Sequence, residues 1–538
     1  MSWNFGDLLD GCERVLPGDA PALIHGARRV SWAEYGRASN NVARHMLERG
    51  AVAGDKVGFY LRNDPAYMEA LGACFKARLV HANVNYRYLD DELHYIVDDS
   101  DAKFVLFDAE FAERVDHVRG RLPKVEAWLQ VGGDALAPFA ERFEDWAGEG
   151  DGVPLDVGRA GDDLLFIYTG GTTGMPKGVM WEHQALWGGL GSGKNTPANR
   201  GAAPEGPEAH VANVAANGPG VIQIVACPLM HGTGLFTAIG NLTGGGCVAT
   251  LEGHKFEPEA LFDMVERERA ASIVIVGDAF ARPMVEALDA SPRRWDLSSL
   301  RVVVSSGVMW SREVKERLLE HHGGMLLADM FGSSEAVGFG SSVTGKGGDT
   351  KTARFMVGEH CKVFTEDHRE VVPGSGERGF IARSGPIPSG YWKDPEKTAK
   401  TFPVIDGVRW SIPGDWCTVE ADGTLTLLGR GSACINTAGE KVHAEEVEET
   451  LKQHAAVEDA LVFGLPDERW GNAVTAVVET ARPDALDEAA MRAFVRERLA
   501  GYKVPKRVLA VPRMFRAPNG KADYKAAAAW AKERLEVE

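Results

Sequence analysis

Residues 164–181 read LLFIYTGGTTGMPKGVMW, and this stretch decides how the rest of the chain is interpreted. Leu164 to Tyr168 form a short apolar run rich in strand formers, which predicts a buried strand. Residues 169–178 are small, hydroxylated and glycine-rich, so the backbone can turn tightly and bring its N–H groups close to an anion. The apolar pattern resumes from Val179 to Leu186 and is compatible with a helix. The local prediction is therefore a strand, a phosphate-binding loop and a helix.

The loop offers backbone N–H groups, hydroxyls and one positive charge to a polyphosphate. The residues that would supply them are Thr169, Gly170, Gly171, Thr172, Thr173, Gly174 and Lys177. The loop is not a Walker A sequence, because that motif places Ser or Thr directly after Gly-Lys, whereas Lys177 stands between Pro176 and Gly178. A flexible surface loop is the alternative interpretation, and the buried strand directly before it argues against that.

Composition indicates an ordinary globular protein of several domain-sized units. The chain has 538 residues, of which 44% are hydrophobic and 25% charged. Its formal net charge is −18, from 59 basic and 77 acidic residues. Such a balance argues against general binding to nucleic acid or to an anionic membrane surface, although it leaves room for a local basic site for phosphates.

The cysteines and the termini predict a protein of the reducing cytoplasm. Seven cysteines are scattered without a C-x-x-C pair, which favours neither a disulfide framework nor a zinc site. The N-terminus lacks a basic segment followed by an apolar core, so it does not read as a signal peptide. No apolar run reaches the roughly 18 residues of a membrane-spanning helix. These cysteines are Cys12, Cys74, Cys227, Cys247, Cys361, Cys417 and Cys434.

Three later strands are expected to end at one crevice. The predicted strands at 272–276, 300–304 and 326–330 are each followed by small or polar residues, among them Ser306 and Gly307. In open α/β sheets, ligands lie beyond the carboxyl ends of the strands, so these three ends together favour a site. Residues 192–220 are rich in Gly, Ala, Pro and Asn, which predicts a long irregular connection. Such a connection is either a lid or a disordered surface segment.

Four further segments carry residue types suited to nucleotide chemistry. In FGSSE, Phe331 can stack on a purine and Glu335 is a hard oxygen donor suited to Mg²⁺. The segment WSIPGD ends in Asp415, whose carboxylate can accept from two hydroxyls. The remaining two are LTLLGRGSACINTAGEKV at 425–442 and RAPNGK, which ends in Lys521.

In this order the motifs resemble those of the acyl-adenylate-forming superfamily, which contains acyl-CoA synthetases, luciferases and the adenylation domains of peptide synthetases. The resemblance covers nearly the whole chain. The residues of its motifs most resemble those of bacterial acyl-CoA synthetases for fatty or steroid-side-chain acids. It implies a metal site at Glu335 and Thr169 and a catalytic Lys521 that enters from the terminal loop. It also implies that His231 lines the junction of the acyl and adenylate pockets.

The resemblance assigns the remaining nucleotide and CoA contacts residue by residue. Asp329 would accept from the adenine amino group, Asp415 would hold the ribose, and Arg430 would contact ribose and phosphate. Residues near the nucleotide or the CoA tunnel would be Ser306, Gly307, Phe331, Gly332, Ser333, Ser334, Gly439 and Lys441. Four positions depart from the family pattern: Phe331 replaces Tyr, Ser334 replaces Thr, Pro413 replaces Thr, and Ala438 replaces a glycine beside the CoA tunnel.

The fold that this resemblance implies is α/β. Residues 1–430 would form a large ATP- and acyl-binding domain with stacked, parallel-rich sheets and a smaller β subdomain that begins near Val357. Residues 431–432 would be a hinge, because small residues suit a backbone rotation. Residues 433–538 would form a small, mobile α+β domain that acts as a catalytic lid.

The implied reaction uses ATP, Mg²⁺, CoA and a hydrophobic carboxylic acid. The carboxylate would attack the α-phosphate of ATP, and the CoA thiol would then displace AMP. Two alternatives stay open: an adenylating enzyme that loads a carrier protein or acts as a luciferase-like oxidase, and a non-catalytic nucleotide-binding protein. Small-molecule substrates and a possible homodimer are the expected partners.

Overall fold

The computed structural model describes all residues except 1–2, 171–174, 292–293, 308–309, 311, 349–353, 431–433, 439, 516–522 and 537–538. The chain groups into two compact units. The large unit comprises Met1–Tyr86, His94–Tyr168 and Gly178–Leu428. The small unit comprises Arg87–Leu93, Thr169–Lys177 and Gly429–Glu538.

The helices, in chain order, are α1 (Phe5–Val15), α2 (Trp32–Glu48), α3 (Pro65–Lys76), α4 (Asp90–Asp99), α5 (Ala112–Arg119), α6 (Phe143–Gly148), α7 (His183–Gly189), α8 (Pro207–Asn217), α9 (Gly232–Thr243), α10 (Pro258–Glu268), α11 (Asp278–Ala290), α12 (Arg312–His321), α13 (Pro395–Thr401), α14 (Ala444–Lys452), α15 (Glu488–Arg496) and α16 (Tyr524–Glu536). The first strands are β1 (Pro21–His25), β2 (Arg28–Ser31), β3 (Lys56–Tyr60), β4 (Val80–Asn83), β5 (Ala102–Asp108), β6 (Ala127–Val131), β7 (Glu141–Arg142), β8 (Leu164–Gly170), β9 (Pro176–Glu182), β10 (Ile222–Val225), β11 (Cys247–Thr250), β12 (Ser272–Ile275), β13 (Val302–Ser306) and β14 (Leu326–Ser333). The later strands are β15 (Ala336–Thr344), β16 (Arg354–Val357), β17 (Cys361–Phe364), β18 (Arg378–Arg383), β19 (Gly390–Tyr391), β20 (Val404–Ile405), β21 (Val408–Arg409), β22 (Asp415–Val419), β23 (Leu425–Arg430), β24 (Cys434–Thr437), β25 (Glu440–His443), β26 (Asp459–Asp467), β27 (Gly471–Glu479) and β28 (Arg507–Val511).

Two large sheets form the body of the large unit. One has eight strands in the order β19-β9-β8-β4-β3-β5-β6-β7, and its pairs from β8 to β7 are parallel. The other has 13 strands in the order β17-β18-β22-β23-β16-β15-β14-β13-β12-β10-β11-β1-β2. Its neighbouring strands are parallel from β14 to β1. The pairs β1–β2, β14–β15, β15–β16, β16–β23, β18–β22 and β17–β18 are antiparallel. One core cluster contains buried side chains of both sheets, so the two sheets share a core.

The small unit has an α+β core of its own. Its three-stranded sheet pairs β26 with β27 in antiparallel and β27 with β28 in parallel register. Buried side chains of α14, α15 and the three strands form a separate cluster, which includes Val447, Val462, Val474, Val495 and Val508. The predicted fold class, a large mixed α/β body with parallel-rich sheets and a small α+β domain, is confirmed.

Local sequence chemistry explains several element boundaries. Ser31 caps α2 by accepting from the backbone N–H of Glu34, and the Glu34 carboxylate accepts from the Ser31 N–H at 2.8 Å. The Ser-x-x-Glu spacing is the sequence signature of such a capping box.

The helix predicted at 179–186 is wrong in its first half. Residues 176–182 form strand β9, and the helix α7 begins only at His183. Val179 and Trp181 alternate into the core, and both are 0% exposed. Val179 and Met180 pair with the short strand β19. The motif is therefore a strand, a loop and a second strand, because period-two burial and β-branched or aromatic residues outweigh the helical spacing.

The long irregular connection expected at 192–220 contains a packed helix. α8 begins with Pro207 at its first turn, a favourable helix start, and buries His210 and Val214. The His210 ring lies 2.8 Å from the Thr243 carbonyl oxygen. A Cβ atom at Gly11 of α1 would lie only 2.5 Å from the Val211 side chain, so the glycine permits this packing.

The later strands β17, β18, β22 and β23 do not form a separate sheet. β16 pairs with β15 on one side and with β23 on the other, so the predicted β subdomain continues the 13-stranded sheet. Similarly, Phe331, Gly332 and Ser333 do not follow strand β14 but belong to it, and the chain then turns back into β15.

Candidate active site

The three strand ends predicted to share one edge lie side by side. β12, β13 and β14 are consecutive parallel strands, and Ser305 of β13 is opposite Asp329 of β14. Ser305 Oγ accepts from the Gly277 N–H at 2.9 Å and so joins two of these ends. Gly307 follows with φ +90°, a backbone conformation that suits glycine.

The FGSSE segment forms a turn whose shape is fixed by three hydrogen bonds. The Glu335 N–H donates to Ser333 Oγ at 3.2 Å, and Ser411 Oγ donates to the Glu335 carbonyl oxygen at 2.7 Å. Trp181 Nε1 donates to the Ser334 carbonyl oxygen at 2.8 Å. Strand β9 and the loop before β22 therefore position this turn together.

The carboxylate of Glu335 is buried and held by a tyrosine. Tyr391 donates its hydroxyl hydrogen to Glu335 Oε1 at 2.8 Å, and the two residues are 4% and 7% exposed. The Lys397 ammonium group lies 4.3 Å from the Tyr391 ring centroid. Among the described residues there is no group of three or more His, Cys, Asp or Glu side chains that could hold a metal. A single oriented carboxylate fits Mg²⁺ on a nucleotide, because that ion takes one or two protein carboxylates together with phosphates and water.

Tyr391→Phe is expected to weaken the dependence on Mg²⁺ while leaving the protein folded. The ring remains, but one hydrogen bond to a charged group is lost, which is worth about 1.5–3 kcal/mol. Half-saturation should therefore require about tenfold more Mg²⁺ in a titration of ATP consumption, with little change at saturating Mg²⁺. Tyr60→Phe is the matched control, because its buried hydroxyl accepts from Arg114 outside the site segments. Equal Mg²⁺ dependence in both variants would contradict the positioning role.

Asp329 lies on the buried face of β14 and is paired with a buried lysine. Lys315 Nζ, on α12, lies 3.0 Å from Asp329 Oδ2. The pKa of Asp329 lies above its ordinary value, because the effect of burial exceeds the opposing effect of the Lys315 charge. The predicted adenine contact of Asp329 stays a prediction.

Phe331 packs among other aromatic rings. Its ring centroid lies 5.3 Å from that of Phe339 and 5.2 Å from that of Phe355, and the residue is 8% exposed. These rings fix the end of β14, and purine stacking by Phe331 stays a prediction.

Asn83, which the sequence did not single out, ties together two predicted site segments. Its Oδ1 accepts from the Tyr168 N–H at 2.6 Å, directly before the glycine-rich loop. Its Nδ2 donates to the Tyr168 carbonyl oxygen at 3.1 Å and to that of Met230 at 2.7 Å, directly before His231. Asn83 thereby connects Tyr168 to the N-terminal end of α9, where His231 occupies the N-cap position.

Buried polar contacts also hold the strand that leads into the loop. His81 Nδ1 lies 3.2 Å from the Phe166 carbonyl oxygen, and its Nε2 lies 2.9 Å from the Tyr67 hydroxyl. Burial lowers the pKa of His81 to about 3, so the ring is neutral. The Tyr168 hydroxyl donates to Asp99 at 2.8 Å. Strand β8 is thus fixed up to the residue that precedes Thr169.

The remaining predicted residues are placed only in part. Asp415 is the first residue of β22 and is 9% exposed. Thr169 is half-buried and groups with the small unit, as does Lys177. Arg430 ends β23, and Lys441 lies opposite Asn436 in the β24–β25 pair. Six predicted residues lie outside the described part of the chain: Gly171, Thr172, Thr173, Gly174, Gly439 and Lys521.

Comparisons with known proteins define the class. The family model described as AMP-binding enzyme matches residues 13–392, and the model described as AMP-binding enzyme C-terminal domain matches residues 446–521. The chain belongs to the AMP-binding enzyme family. The resemblance to the acyl-adenylate-forming superfamily is thereby confirmed.

Similar curated proteins align over the full chain. The 3-oxocholest-4-en-26-oate–CoA ligase of Rhodococcus rhodochrous is 38% identical, over 99% of this chain and 96% of its own. The medium/long-chain-fatty-acid–CoA/3-oxocholest-4-en-26-oate–CoA ligase of Mycobacterium tuberculosis is also 38% identical, over 100% and 97%. The predicted class of enzyme, an AMP-forming acyl-CoA ligase that uses ATP, Mg²⁺ and CoA, is confirmed.

Solved structures share the fold. The amide bond synthetase from Marinactinospora thermotolerans superposes with a TM-score of 0.79 at 24% identity, covering 98% of this chain and 99% of its own. The anthranilate CoA ligase solved with anthranoyl-AMP has a TM-score of 0.69 at 23% identity, with 99% and 98% covered. In the described part of the chain, no helix is long and apolar enough to cross a membrane.

Proposed function

We propose that this enzyme activates a hydrophobic carboxylic acid, of the fatty-acid or steroid-side-chain class, as its CoA thioester. The observation that carries the proposal is the full-length similarity to CoA ligases whose names specify such acids. The buried, hydrogen-bonded Glu335 supports an active rather than a purely nucleotide-binding protein, because an oriented carboxylate at a strand end suits a nucleotide-bound cation.

The reaction proceeds in two steps that balance without a covalent enzyme intermediate. In the first, a carboxylate oxygen of the acid bonds to the α-phosphorus of ATP and pyrophosphate leaves, which gives an acyl-AMP. In the second, the CoA sulfur bonds to the acyl carbon, the thiol proton is released, and AMP leaves.

The first step brings two anions together, so it needs positive charge and oriented donors. Bound Mg²⁺ neutralises charge on the phosphates. Glu335 would hold this ion, with Thr169 beside it, while residues 169–177 would bind phosphate oxygens. Lys521 would place its ammonium group between the incoming carboxylate and the α-phosphate. His231, at the N-terminus of α9, would border the acyl group.

The proposal is tested with a panel of medium-chain, long-chain, steroid-side-chain and aromatic carboxylic acids. Each acid is incubated with ATP and Mg²⁺, with and without CoA, and AMP formation is measured. We expect CoA-dependent AMP formation with the aliphatic or steroid acids. A second arm replaces CoA by a phosphopantetheinyl carrier protein. Turnover only with the carrier would favour a carrier-loading enzyme, and ATP binding without pyrophosphate release would favour a non-catalytic protein.

The domain division is part of the proposal. Residues 1–430 would form the ATP- and acyl-binding domain, residues 431–432 the hinge, and residues 433–538 a lid that reorients between the two steps. Two observations support it: the last boundary between the compact units falls after Leu428, and the two family models match 13–392 and 446–521 separately.

Ser432→Pro is expected to impair one step more than the other. Proline fixes φ near −65°, where a hinge residue must rotate. The two steps are measured separately, as pyrophosphate release without CoA and as thioester formation from supplied acyl-AMP. Ser432→Ala is the control, because it keeps φ free. Equal loss in both steps, or no loss, would count against a hinge at this position.

A cytoplasmic location and a possible homodimer complete the proposal. The six cysteines whose side chains are described are free thiols, five of them buried, as expected in a reducing compartment. Molar mass in solution, measured by light scattering, tests the dimer.

A further inference from the structure

A lysine and an aspartate form a buried ion pair in the middle of β14. Lys315 Nζ lies 3.0 Å from Asp329 Oδ2, and the two side chains are 1% and 8% exposed. Lys315 projects from the buried face of α12, next to Val314 and Leu318. A lysine so fully buried is rare unless it is paired, because removing its charge from water costs several kcal/mol.

Among the described residues around Asp329, Lys315 is the positively charged group that acts on its carboxylate. Along the sheet, Asp329 is opposite Ser305 of β13 and Ser342 of β15. In the part of the chain that the structure describes, Asp278 at the start of α11 also acts on it, and its negative charge raises the pKa of Asp329 in the same direction as burial. The charge of Lys315 opposes both effects.

Trp310 covers the lysine. The Lys315 ammonium group lies 5.5 Å from the Trp310 ring centroid, and Trp310 is 0% exposed. An aromatic face beside an ammonium group is favourable and excludes water from the pair. The Lys315 ammonium group therefore contacts Oδ2 of Asp329 from the interior of the protein.

We infer that Lys315 is a specificity-determining residue that keeps Asp329 an ionised acceptor and thereby selects a purine with a 6-amino group over one with a 6-oxo group. The inference rests on the proposed function, in which Asp329 meets the edge of the nucleotide base. Lys315 is itself buried, so in this role it acts through Asp329 as a positioning residue.

This selectivity follows from the hydrogen-bond donors and acceptors on the carboxyl group and on the purine base. An ionised carboxylate only accepts hydrogen bonds, whereas a protonated one also donates. The amino group of adenine donates, so it pairs with the ionised form, while the 6-oxo group of hypoxanthine accepts and is repelled by it. Without Lys315, burial and Asp278 would favour the protonated carboxyl, which could donate to a 6-oxo group.

The test compares ATP with inosine triphosphate in the first step, measured as acid-dependent pyrophosphate release. The ATP preference is kcat/KM for ATP divided by kcat/KM for inosine triphosphate. In Lys315→Met we expect this ratio to fall about tenfold or more, which is the size expected for one hydrogen bond to a charged group. The fall in the ratio of Lys315→Met should be larger at mildly acidic than at mildly alkaline pH, because the protonated fraction of Asp329 increases as pH falls. The wild-type ratio should stay nearly constant over that range, and Lys315→Arg should keep it.

The controls separate selectivity from folding. Lys76 is another buried lysine, 0% exposed and paired with Glu13 at 2.6 Å, so Lys76→Met should lower stability without changing the ratio. In Asp329→Asn the acceptor charge is gone, so the ratio should fall at all pH values and adding Lys315→Met should change it little further. If Lys315→Met does not fold, Lys315→Arg and Asp329→Asn carry the test.

Two failures are distinguishable. A wild-type protein that releases no pyrophosphate with any acid would overturn the proposed function. A wild-type protein that does so, together with an unchanged and pH-independent ratio in Lys315→Met or an unchanged ratio in Asp329→Asn, would overturn the inference and leave Lys315 as a structural ion pair.

Discussion

Lys521→Ala is expected to lose most of the first step while it still converts supplied acyl-AMP and CoA to the thioester at a near-normal rate. A lysine places a compact positive charge at the end of a flexible stem. In the first step that charge would lie between the incoming carboxylate and the α-phosphate, where negative charge accumulates. Removing such a contact costs on the order of a hundredfold or more in rate.

The second step makes no such demand, because the thiol attacks a mixed anhydride that is already formed. Pyrophosphate release without CoA and thioester formation from acyl-AMP are therefore measured on the same preparation. Arg430→Ala is the contrasting variant, since a residue that holds ribose and phosphate throughout should impair both steps. If Lys521→Ala slowed both steps equally, a structural role for the terminal loop would be the better interpretation.

Glu335→Gln is expected to suppress ATP use by about a hundredfold at limiting Mg²⁺ while the fold survives. The amide has the shape of the carboxylate and can still accept from the Tyr391 hydroxyl, so the hydrogen bonds of the turn remain. What is lost is the negative charge that a hard cation prefers.

Excess Mg²⁺ should restore part of the Glu335→Gln rate, and thermal unfolding should stay close to that of the wild type. Glu359→Gln is the control, because that side chain is 73% exposed. Wild-type rates in Glu335→Gln at limiting Mg²⁺ would exclude the metal role and would also remove the reason for expecting an effect from Tyr391→Phe.

The sequence predicts those parts of the fold in which local pattern and tertiary burial agree. The β-branched runs of β12 and β13 are strands as predicted, β12 fully buried and β13 buried at alternate residues, and the capping box at Ser31 forms as its spacing indicates. Residues 179–182 were misassigned because a short apolar run does not by itself distinguish a strand from a helix; in the structure they lie between β8 and a second partner strand at Gly390–Tyr391. That partner lies far along the chain, where no local pattern reaches.

The same limit applies to the candidate active site: residues in short motifs were found, and residues whose partners are distant in sequence were not. Glu335 and Asp329 were found because a short motif carries them, and their roles come from the resemblance. Tyr391 lies 56 residues from the carboxylate that it holds. Asn83 is 85 residues from Tyr168 and 147 from Met230. Lys315 has no motif around it and reads as one polar residue on an amphipathic helix. These positioning residues become visible only when the fold brings them to their partners.

The central claim, that a carboxylate oxygen attacks the α-phosphate of ATP, is tested most directly with an acid labelled in its carboxyl group with heavy oxygen. The enzyme converts this acid, ATP and CoA to products, and the AMP and pyrophosphate are analysed by mass spectrometry. The account predicts that each AMP carries one heavy oxygen and that pyrophosphate carries none, because the oxygen that forms the anhydride leaves with the phosphate of AMP. Unlabelled AMP formed alongside a labelled thioester, or heavy oxygen in pyrophosphate or inorganic phosphate, would contradict it.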